Sequence, residues 1–211
     1  MLIIYSGGMD STVLLNEYKN DIKLAVSFNY GSKHNSKEIA FAKKNCKKLK
    51  IKHIVIDLPF INKYFASDLL KSGGEIPDGH YEDEMMKKTV VPFRNGIMLS
   101  IAAGLAESIG AKKILIANHA GDHAIYPDCR STFIHEMSNA IAYGTETNIN
   151  ILAPYTNITK RDIALRGHKN GVDFSNTWSC YKGTEKHCGT CGTCNERKEA
   201  LEGFDPTEYL A

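Results

Sequence analysis

The stretch with the clearest chemical meaning is Ser6–Ser11, which reads Ser-Gly-Gly-Met-Asp-Ser. It follows the short apolar run Leu2–Tyr5 and precedes a helical pattern at Ser11–Lys19, so it is predicted to be a tight turn from a strand into a helix. Glycines let an anion approach the backbone amides, serine hydroxyls donate further hydrogen bonds, and the helix dipole favours negative charge. The stretch therefore predicts a phosphate-binding loop. The alternative is an ordinary glycine-rich turn.

A second set of chemically meaningful residues is the four cysteines Cys180, Cys188, Cys191 and Cys194. Two successive two-residue gaps allow four thiolates to converge on one tetrahedral Zn²⁺. Such a closed site leaves no ligand position for water, so its predicted role is structural, with one Zn²⁺ per chain. An iron–sulfur cluster, or persulfide or redox chemistry at the Cys-x-x-Cys pairs, remains an alternative.

Two turns shaped by proline carry arginines. Val91–Asn95 (Val-Pro-Phe-Arg-Asn) and Tyr126–Arg130 (Tyr-Pro-Asp-Cys-Arg) each stand at a predicted helix start, where Arg94 and Arg130 can reach a nucleotide or a carboxylate lying over the strand ends. Taken singly, either turn is also compatible with an ordinary solvated loop. The same ambiguity holds for His34, which follows the second predicted strand.

Composition narrows the class of protein. The 211 residues suit one compact domain with a small appendage, and 43% hydrophobic residues supply a sizeable core. Lys and Arg total 26 against 24 Asp and Glu. This charge balance lacks the basic excess of a general nucleic-acid binder, so a small-molecule partner is expected. We see no signal peptide and no apolar run near about 18 residues, and therefore expect a cytoplasmic protein.

Strand-length apolar runs alternate with helical patterns along the chain. This alternation predicts an α/β fold of Rossmann-like, doubly wound type, with a parallel sheet of about five strands and helices on both faces. We expect an α/β domain at 1–177 and a zinc-binding segment at 178–211 packed on it. The predicted strands are Leu2–Tyr5, Lys23–Asn29, His53–Leu58, Lys112–Asn118 and Asn150–Ala153, and the predicted helices are Ser11–Lys19, Ser36–Leu49, Arg94–Ile109, Phe133–Tyr143 and Lys160–His168.

The loop lacks the Gly-Lys-Ser/Thr of a Walker A motif and resembles instead the SGGxDS signature of the PP-loop ATP pyrophosphatases. That resemblance implies ATP bound with Mg²⁺ and cleaved between its α- and β-phosphates, with Asp10 as a partner of Mg²⁺. It assigns ATP contacts to the loop and its flanks, namely Tyr5, Ser6, Gly7, Gly8, Met9, Asp10, Ser11, Thr12, Val13, Leu14 and Leu15.

The later motifs narrow the resemblance. Tyr30–His34, the two arginine turns, Trp178–Tyr181 and the Cys-Gly-Thr-Cys-Gly-Thr-Cys run follow the loop in an order that resembles the 7-cyano-7-deazaguanine synthase family over nearly the whole chain. Two departures exist. Ser32-Lys33 stands where the family usually has Gln-Arg, and the spacing from Cys180 to Cys188 is one residue shorter than is common.

The resemblance implies an enzyme that converts 7-carboxy-7-deazaguanine, ammonia and ATP to 7-cyano-7-deazaguanine through an adenylated carboxylate and an amide. Its implied catalytic residues are Asp10 beside Mg²⁺, Arg94 and Arg130 on anionic groups, Lys33 or His34 closing over the site, and Asp128 accepting from the guanine-like edge. We also expect a homodimer that binds no nucleic acid.

Three alternatives to this reaction stay open from the sequence. A PP-loop enzyme that modifies tRNA uses the same adenylation. The composition of this chain, however, gives no sign of the basic surface that a tRNA-binding enzyme needs. A relative that stops at the amide, or that uses another amine, shares every motif. A zinc-stabilised nucleotide sensor would bind ATP without releasing pyrophosphate.

Overall fold

The protein is a computed structural model that describes residues 1–80 and 84–210. Five strands form one fully parallel sheet in the order β3-β2-β1-β4-β5. They are β1 (Leu2–Ile4), β2 (Leu24–Asn29), β3 (His53–Asp57), β4 (Lys113–Leu115) and β5 (Asn150–Leu152). The predicted Rossmann-like α/β fold with about five parallel strands is confirmed.

Seven α-helices connect and cover the strands within the described ranges. They are α1 (Met9–Glu17), α2 (Asn35–Leu49), α3 (Pro59–Tyr64), α4 (Arg94–Ser108), α5 (Ser131–Gly144), α6 (Lys160–Lys169) and α7 (Gly192–Ala200). Short 3₁₀ turns lie at Glu84–Thr89, Ala120–Ala124, Pro127–Cys129 and Phe174–Asn176.

The sheet is buried on both faces, as its parallel strands require. In β1, Leu2 packs into the hydrophobic cluster that contains Leu99 of α4, whereas Ile3 packs into the cluster that contains Val13 of α1. Successive residues of a strand point to opposite faces, so this division shows that helices cover both sides. The short strand β1 thus lies at the centre of the core.

The predicted elements match the observed ones to within a few residues. Two of the shifts affect the candidate site. Helix α1 begins at Met9 and not at Ser11, so the phosphate loop is shorter than predicted and Asp10 lies in the first helical turn. Strand β4 ends at Leu115, before the predicted Asn118. The helices α3 and α7 were not predicted.

One stretch is apolar enough to cross a membrane by length and composition alone. It is Met85–Ser108, with a mean hydropathy of 1.3 in its most apolar window, and it is the exception to the expectation that no such run exists. Half of that window is buried inside the fold, as in a core helix. Its second part is α4, which packs against β1 and β4.

Candidate active site

The phosphate loop connects β1 to α1 at the centre of the sheet. Gly7 has a φ of +96°, and a Cβ at this position would lie 2.2 Å from the carbonyl oxygen of Glu38 and 2.9 Å from the amide of Ala42. Only glycine permits both the positive φ and this approach of α2. On its other side the loop is held by the Trp178 amide, which donates to the Gly7 carbonyl at 3.1 Å.

The hydroxyls of the loop are organised around Gly8, the N-cap of α1. The Gly8 amide donates to Ser6 Oγ at 3.0 Å, and Ser6 Oγ lies 3.1 Å from Ser11 Oγ. Thr12 Oγ1 donates to the Gly8 carbonyl at 2.7 Å. No side chain caps this helix among the described residues, so its positive end remains available to an anion.

A pocket of about 210 Å³ opens beside this loop, over the carboxyl ends of β1, β2 and β4. Its walls include Ser6 of the loop, Tyr30 after β2, Arg94 at the start of α4, Asn118 after β4, and Trp178. In an open parallel sheet, ligands bind outside the carboxyl ends of the strands where the strand order reverses, and β1 is that position here. The pocket is therefore the candidate active site.

A buried ionic cluster lies at the floor of the pocket, and sequence reasoning missed most of it. Lys160 Nζ lies 3.3 Å from Asp10 Oδ2 and 2.7 Å from Glu196 Oε2, and His119 Nε2 lies 3.8 Å from Glu196 Oε1. Burial acts to lower the pKa of Lys160, but the carboxylates of Asp10, Glu196 and Asp122 together raise it above its ordinary value. The ammonium is therefore charged.

Asp10 is placed to hold a cation. Its Oδ1 is buried and has no hydrogen-bond partner within the described part of the chain, while Oδ2 faces Lys160. A buried carboxylate oxygen without a donor fits a ligand position for Mg²⁺, which prefers oxygen ligands.

Arg94 lies in an aromatic enclosure. Its guanidinium is 5.9 Å from the ring centroids of both Tyr30 and Tyr126. Burial acts to lower its pKa, but Tyr30, Tyr181 and Asp128 raise it well above its ordinary value. A permanent positive charge on the pocket wall is suited to a carboxylate or a phosphate.

His34 also lines the pocket, with only 3% of its surface exposed. Asn118 is a second buried polar residue of the wall and was missed from the sequence. Its Nδ2 donates to the Cys129 carbonyl at 2.8 Å and lies 3.2 Å from Thr156 Oγ1, whereas its Oδ1 has no partner among the described residues. A buried acceptor of this kind is suited to a ligand N–H.

Three other residues predicted to be catalytic lie outside the pocket lining. Lys33 Nζ donates to the carbonyls of Asp68 and Leu70, both at 2.6 Å, and so holds that loop. Asp128 accepts the amide of Asn95 at 2.7 Å near the N-terminus of α4. Arg130 is exposed and donates to a backbone carbonyl. Direct catalytic roles for these three remain predictions.

The four cysteines of the C-terminal segment are brought together and are all buried. Their sulfur atoms lie within 4.8 Å of one another, and Cys188 Sγ is 3.8 Å from Cys194 Sγ. A tetrahedral zinc site with Zn–S bonds of about 2.3 Å has S–S edges of about 3.8 Å, so the donor set fits Zn²⁺. The amides of Thr190 and Cys191 donate to Cys188 Sγ at 3.4 and 3.3 Å, as thiolate ligands require.

The segment is joined to the body by Arg197 of α7, which is fully buried. Its guanidinium donates to the hydroxyls of Thr177, Ser179 and Thr207 and to the carbonyl of Phe174, at 2.7 to 3.0 Å. Helix α7 also carries Glu196 into the ionic cluster, so the segment forms one wall of the candidate active site.

Comparisons with known proteins agree with this arrangement. A protein named 7-cyano-7-deazaguanine synthase from Porphyromonas gingivalis is 59% identical over 211 residues, which cover 99% of this chain and 96% of that protein. Proteins of the same name from Desulfotalea psychrophila and Methanoregula boonei are 53% and 47% identical, each covering 99% of this chain and 98% of their own length.

In three dimensions the fold is similar to that of NMN synthetase from Francisella tularensis, with a TM-score of 0.50 and 13% sequence identity. The match covers 87% of this chain and 67% of that one. The model of one family, described as queuosine biosynthesis protein QueC, matches residues 1–205. With the phosphate loop, pocket and cysteine cluster in place, the chain belongs to the QueC family of queuosine biosynthesis proteins.

Proposed function

We propose that this protein is an ATP-dependent ligase that forms 7-cyano-7-deazaguanine from 7-carboxy-7-deazaguanine and ammonia. The observation that carries this proposal is the near full-length similarity to proteins named 7-cyano-7-deazaguanine synthase. The site supports it independently, because a phosphate-binding loop and a permanently charged arginine line one pocket.

A carboxylate is a poor electrophile, and adenylation gives it a good leaving group that ammonia can displace. Repeating the adenylation on the amide removes the remaining oxygen and leaves the nitrile.

The residues of the phosphate loop and their neighbours have separate roles in ATP cleavage. The backbone from Ser6 to Thr12 holds the departing pyrophosphate at the N-terminus of α1. Asp10 would hold Mg²⁺, and the bound ion would supply positive charge for the leaving phosphates. Lys160 supplies a second fixed positive charge beside Asp10, and Glu196 keeps it there.

Substrate recognition is assigned to the opposite wall. Arg94 binds the 7-carboxylate in its enclosure of tyrosines, and Asn118 Oδ1 accepts an N–H of the base. Lys33 and Asp128 act by position, since they fix the 68–74 loop and the start of α4. Arg130, which is exposed and outside the pocket lining, is proposed to contact an anionic group of the substrate.

The cysteine cluster is proposed to hold one structural Zn²⁺ per chain, and the chain is divided into an ATP-binding domain at 1–177 and a zinc-binding segment at 178–211. The protein is further proposed to be a cytoplasmic homodimer that does not need nucleic acid. Analytical ultracentrifugation of the purified protein tests the dimer.

The test of the proposed function is the dependence of ATP cleavage on substrate and on Asp10. The wild type should release AMP and pyrophosphate only with 7-carboxy-7-deazaguanine present, and Asp10→Asn should lower this release at least ~100-fold while leaving the fold intact. Bulk tRNA should neither replace the substrate nor inhibit. Release of ADP and phosphate, or turnover that requires tRNA, would contradict the proposal.

A further inference from the structure

The environment of His34 is unusual for a buried histidine. Its ring stacks on Tyr181, with the centroids 5.0 Å apart and the planes at 25°. Nε2 lies 3.3 Å from Glu38 Oε2, one helical turn further along the chain. Nδ1 is buried and has no hydrogen-bond partner among the residues that the structure describes. One nitrogen is therefore held by the protein and the other is left for a ligand.

Glu38 determines which nitrogen carries the proton. An ionised carboxylate only accepts hydrogen bonds, so it selects the tautomer with the proton on Nε2 and leaves the lone pair on Nδ1. Glu38 is itself fixed against the phosphate loop. Its carbonyl oxygen abuts Gly7, and its Oε1 is 3.5 Å from the position of a Cβ at Gly8. The pair of His34 and Glu38 thus lies beside the phosphate loop and lines the pocket.

The proposed reaction needs a base at this place. Ammonia enters with three protons on nitrogen and the nitrile carries none, so three protons must leave one atom in a confined pocket. The other basic groups of the pocket floor are engaged. His119 Nδ1 accepts from the Gly121 amide, and Glu196 faces Lys160. Asp10 faces Lys160 through Oδ2, and its unpartnered Oδ1 is the position proposed for Mg²⁺. His34 Nδ1 has no such engagement.

We propose that His34 is the catalytic base that takes protons from the nitrogen of ammonia, and that Glu38 is its positioning residue. This inference rests on the proposed function. In the first step nitrogen bonds to the carbonyl carbon of the acyl-adenylate, and one proton passes from nitrogen to Nδ1. The C–O bond to AMP then breaks, AMP leaves with the electron pair, and the amide remains. Nδ1 passes this proton to water before it accepts another. After the amide oxygen has been adenylated, the two remaining protons leave nitrogen one at a time through Nδ1, the second C–O bond breaks, AMP leaves with the electron pair, and the nitrile forms.

The test separates adenylation from the nitrogen chemistry. Exchange of labelled pyrophosphate into ATP, measured with 7-carboxy-7-deazaguanine and without ammonium, reports adenylation alone. Amide and nitrile formation with saturating ammonium report the nitrogen steps. The variants are His34→Gln, which keeps a donor for Glu38, and Glu38→Gln, which keeps the imidazole but removes its charged partner. His135→Gln, at an exposed position on α5, is the matched control.

General base catalysis is typically worth about 10²–10⁴-fold, so His34→Gln should lower amide formation at least ~100-fold while exchange stays within about threefold of wild type. Glu38→Gln should lower kcat for amide formation about tenfold with the KM for ATP unchanged. An equal loss in exchange and amide formation, or no loss in either, would overturn the proposal. If His34→Gln does not fold, the same two readouts on Glu38→Gln decide the matter.

Measurements on the wild type separate a failure of the His34 proposal from a failure of the proposed function. A wild-type protein that makes no amide or nitrile refutes the reaction and the proposal for His34 together. A wild type that makes the nitrile, beside a His34→Gln variant that makes it equally fast, refutes only the role of His34.

Discussion

Lys160 donates to the carboxylate of Glu196 at 2.7 Å, across 36 residues of sequence, and this ion pair connects the cysteine-rich segment to the phosphate loop. Glu196 follows Cys194 by two residues on α7, while Lys160 also faces Asp10 of the loop. Folding of the cysteine cluster therefore determines the position of a carboxylate in the active site. One lysine thus connects the cysteine-rich segment with the phosphate loop.

Replacing Lys160 by methionine should damage both activity and stability. The change leaves two neighbouring carboxylates without their cation, so we expect a loss of about 3 kcal/mol in the free energy of unfolding and a ~100-fold loss in pyrophosphate release. Lys182→Met, which breaks a lysine–aspartate pair at the surface, should cost less than about 1 kcal/mol. Urea unfolding and a pyrophosphate assay provide the readouts, and a Lys160→Met enzyme of unchanged activity would remove Lys160 from the account.

Substitution of Gly7 by alanine should prevent the loop from closing against α2. The new Cβ would lie 2.2 Å from a backbone oxygen, which cannot move as a side chain can, and the φ of +96° adds strain. We expect a loss of about 3 kcal/mol together with loss of ATP binding.

The matched control for this change is Gly203→Ala. Gly203 has a φ of +87°, but a Cβ there meets nothing within 4 Å, so only the backbone strain of about 1 kcal/mol is expected, with ATP binding retained. Chemical denaturation and calorimetric titration with ATP compare the two variants. Equal losses of stability would show that the packing of α2 on the loop is not the cause.

Replacing Cys191 by serine should remove the metal and lower stability together. Elemental analysis should give one zinc per wild-type chain and less than one in the variant, with a loss of thermal stability that a chelator reproduces in the wild type. Cys46→Ser, at a buried cysteine outside the cluster, should keep its zinc. Iron with visible absorbance in anaerobic preparations would instead identify an iron–sulfur site.

Arg197 should be important for stability. Replacing it by methionine leaves the carbonyl of Phe174 and three hydroxyls without their shared donor in a buried site, which should cost about 3 kcal/mol. Arg166→Met, at an exposed position whose guanidinium lies over Tyr155, should cost less than about 1 kcal/mol. Zinc content should persist in both, and a stable Arg197→Met protein would contradict the anchoring role.

The features that sequence alone predicted are those defined by local spacing. The phosphate loop lies between one strand and the next helix, and the last three cysteines occupy one short stretch, so neighbouring residues determine both. The order of apolar runs likewise predicted the parallel sheet, because each run is long enough for one strand only. The error in the start of α1 also has a local cause. The N-cap residue is Gly8, which has no side chain to mark the first residue of the helix.

The features that sequence missed depend on contacts between distant elements. Lys160 stands at the start of α6 and Glu196 on α7, and nothing in either neighbourhood shows that they meet. A usable signal was present, because His119 and Lys160 each follow a predicted strand and the carboxyl ends of parallel strands share one edge. The residue type of Asp128 suggested that it recognises the base. Its carboxylate accepts the amide of Asn95, and a direct contact with the base remains a prediction.

The proposed reaction converts a carboxylate to a nitrile by two adenylations in one pocket. The most direct measurement is mass spectrometry of the products after incubation of the purified protein with 7-carboxy-7-deazaguanine, isotopically labelled ammonium, ATP and Mg²⁺. We predict 7-cyano-7-deazaguanine that carries the labelled nitrogen, with two AMP and two pyrophosphate released for each nitrile. An amide as the final product, one AMP per product, or ADP and phosphate in place of AMP and pyrophosphate would contradict it.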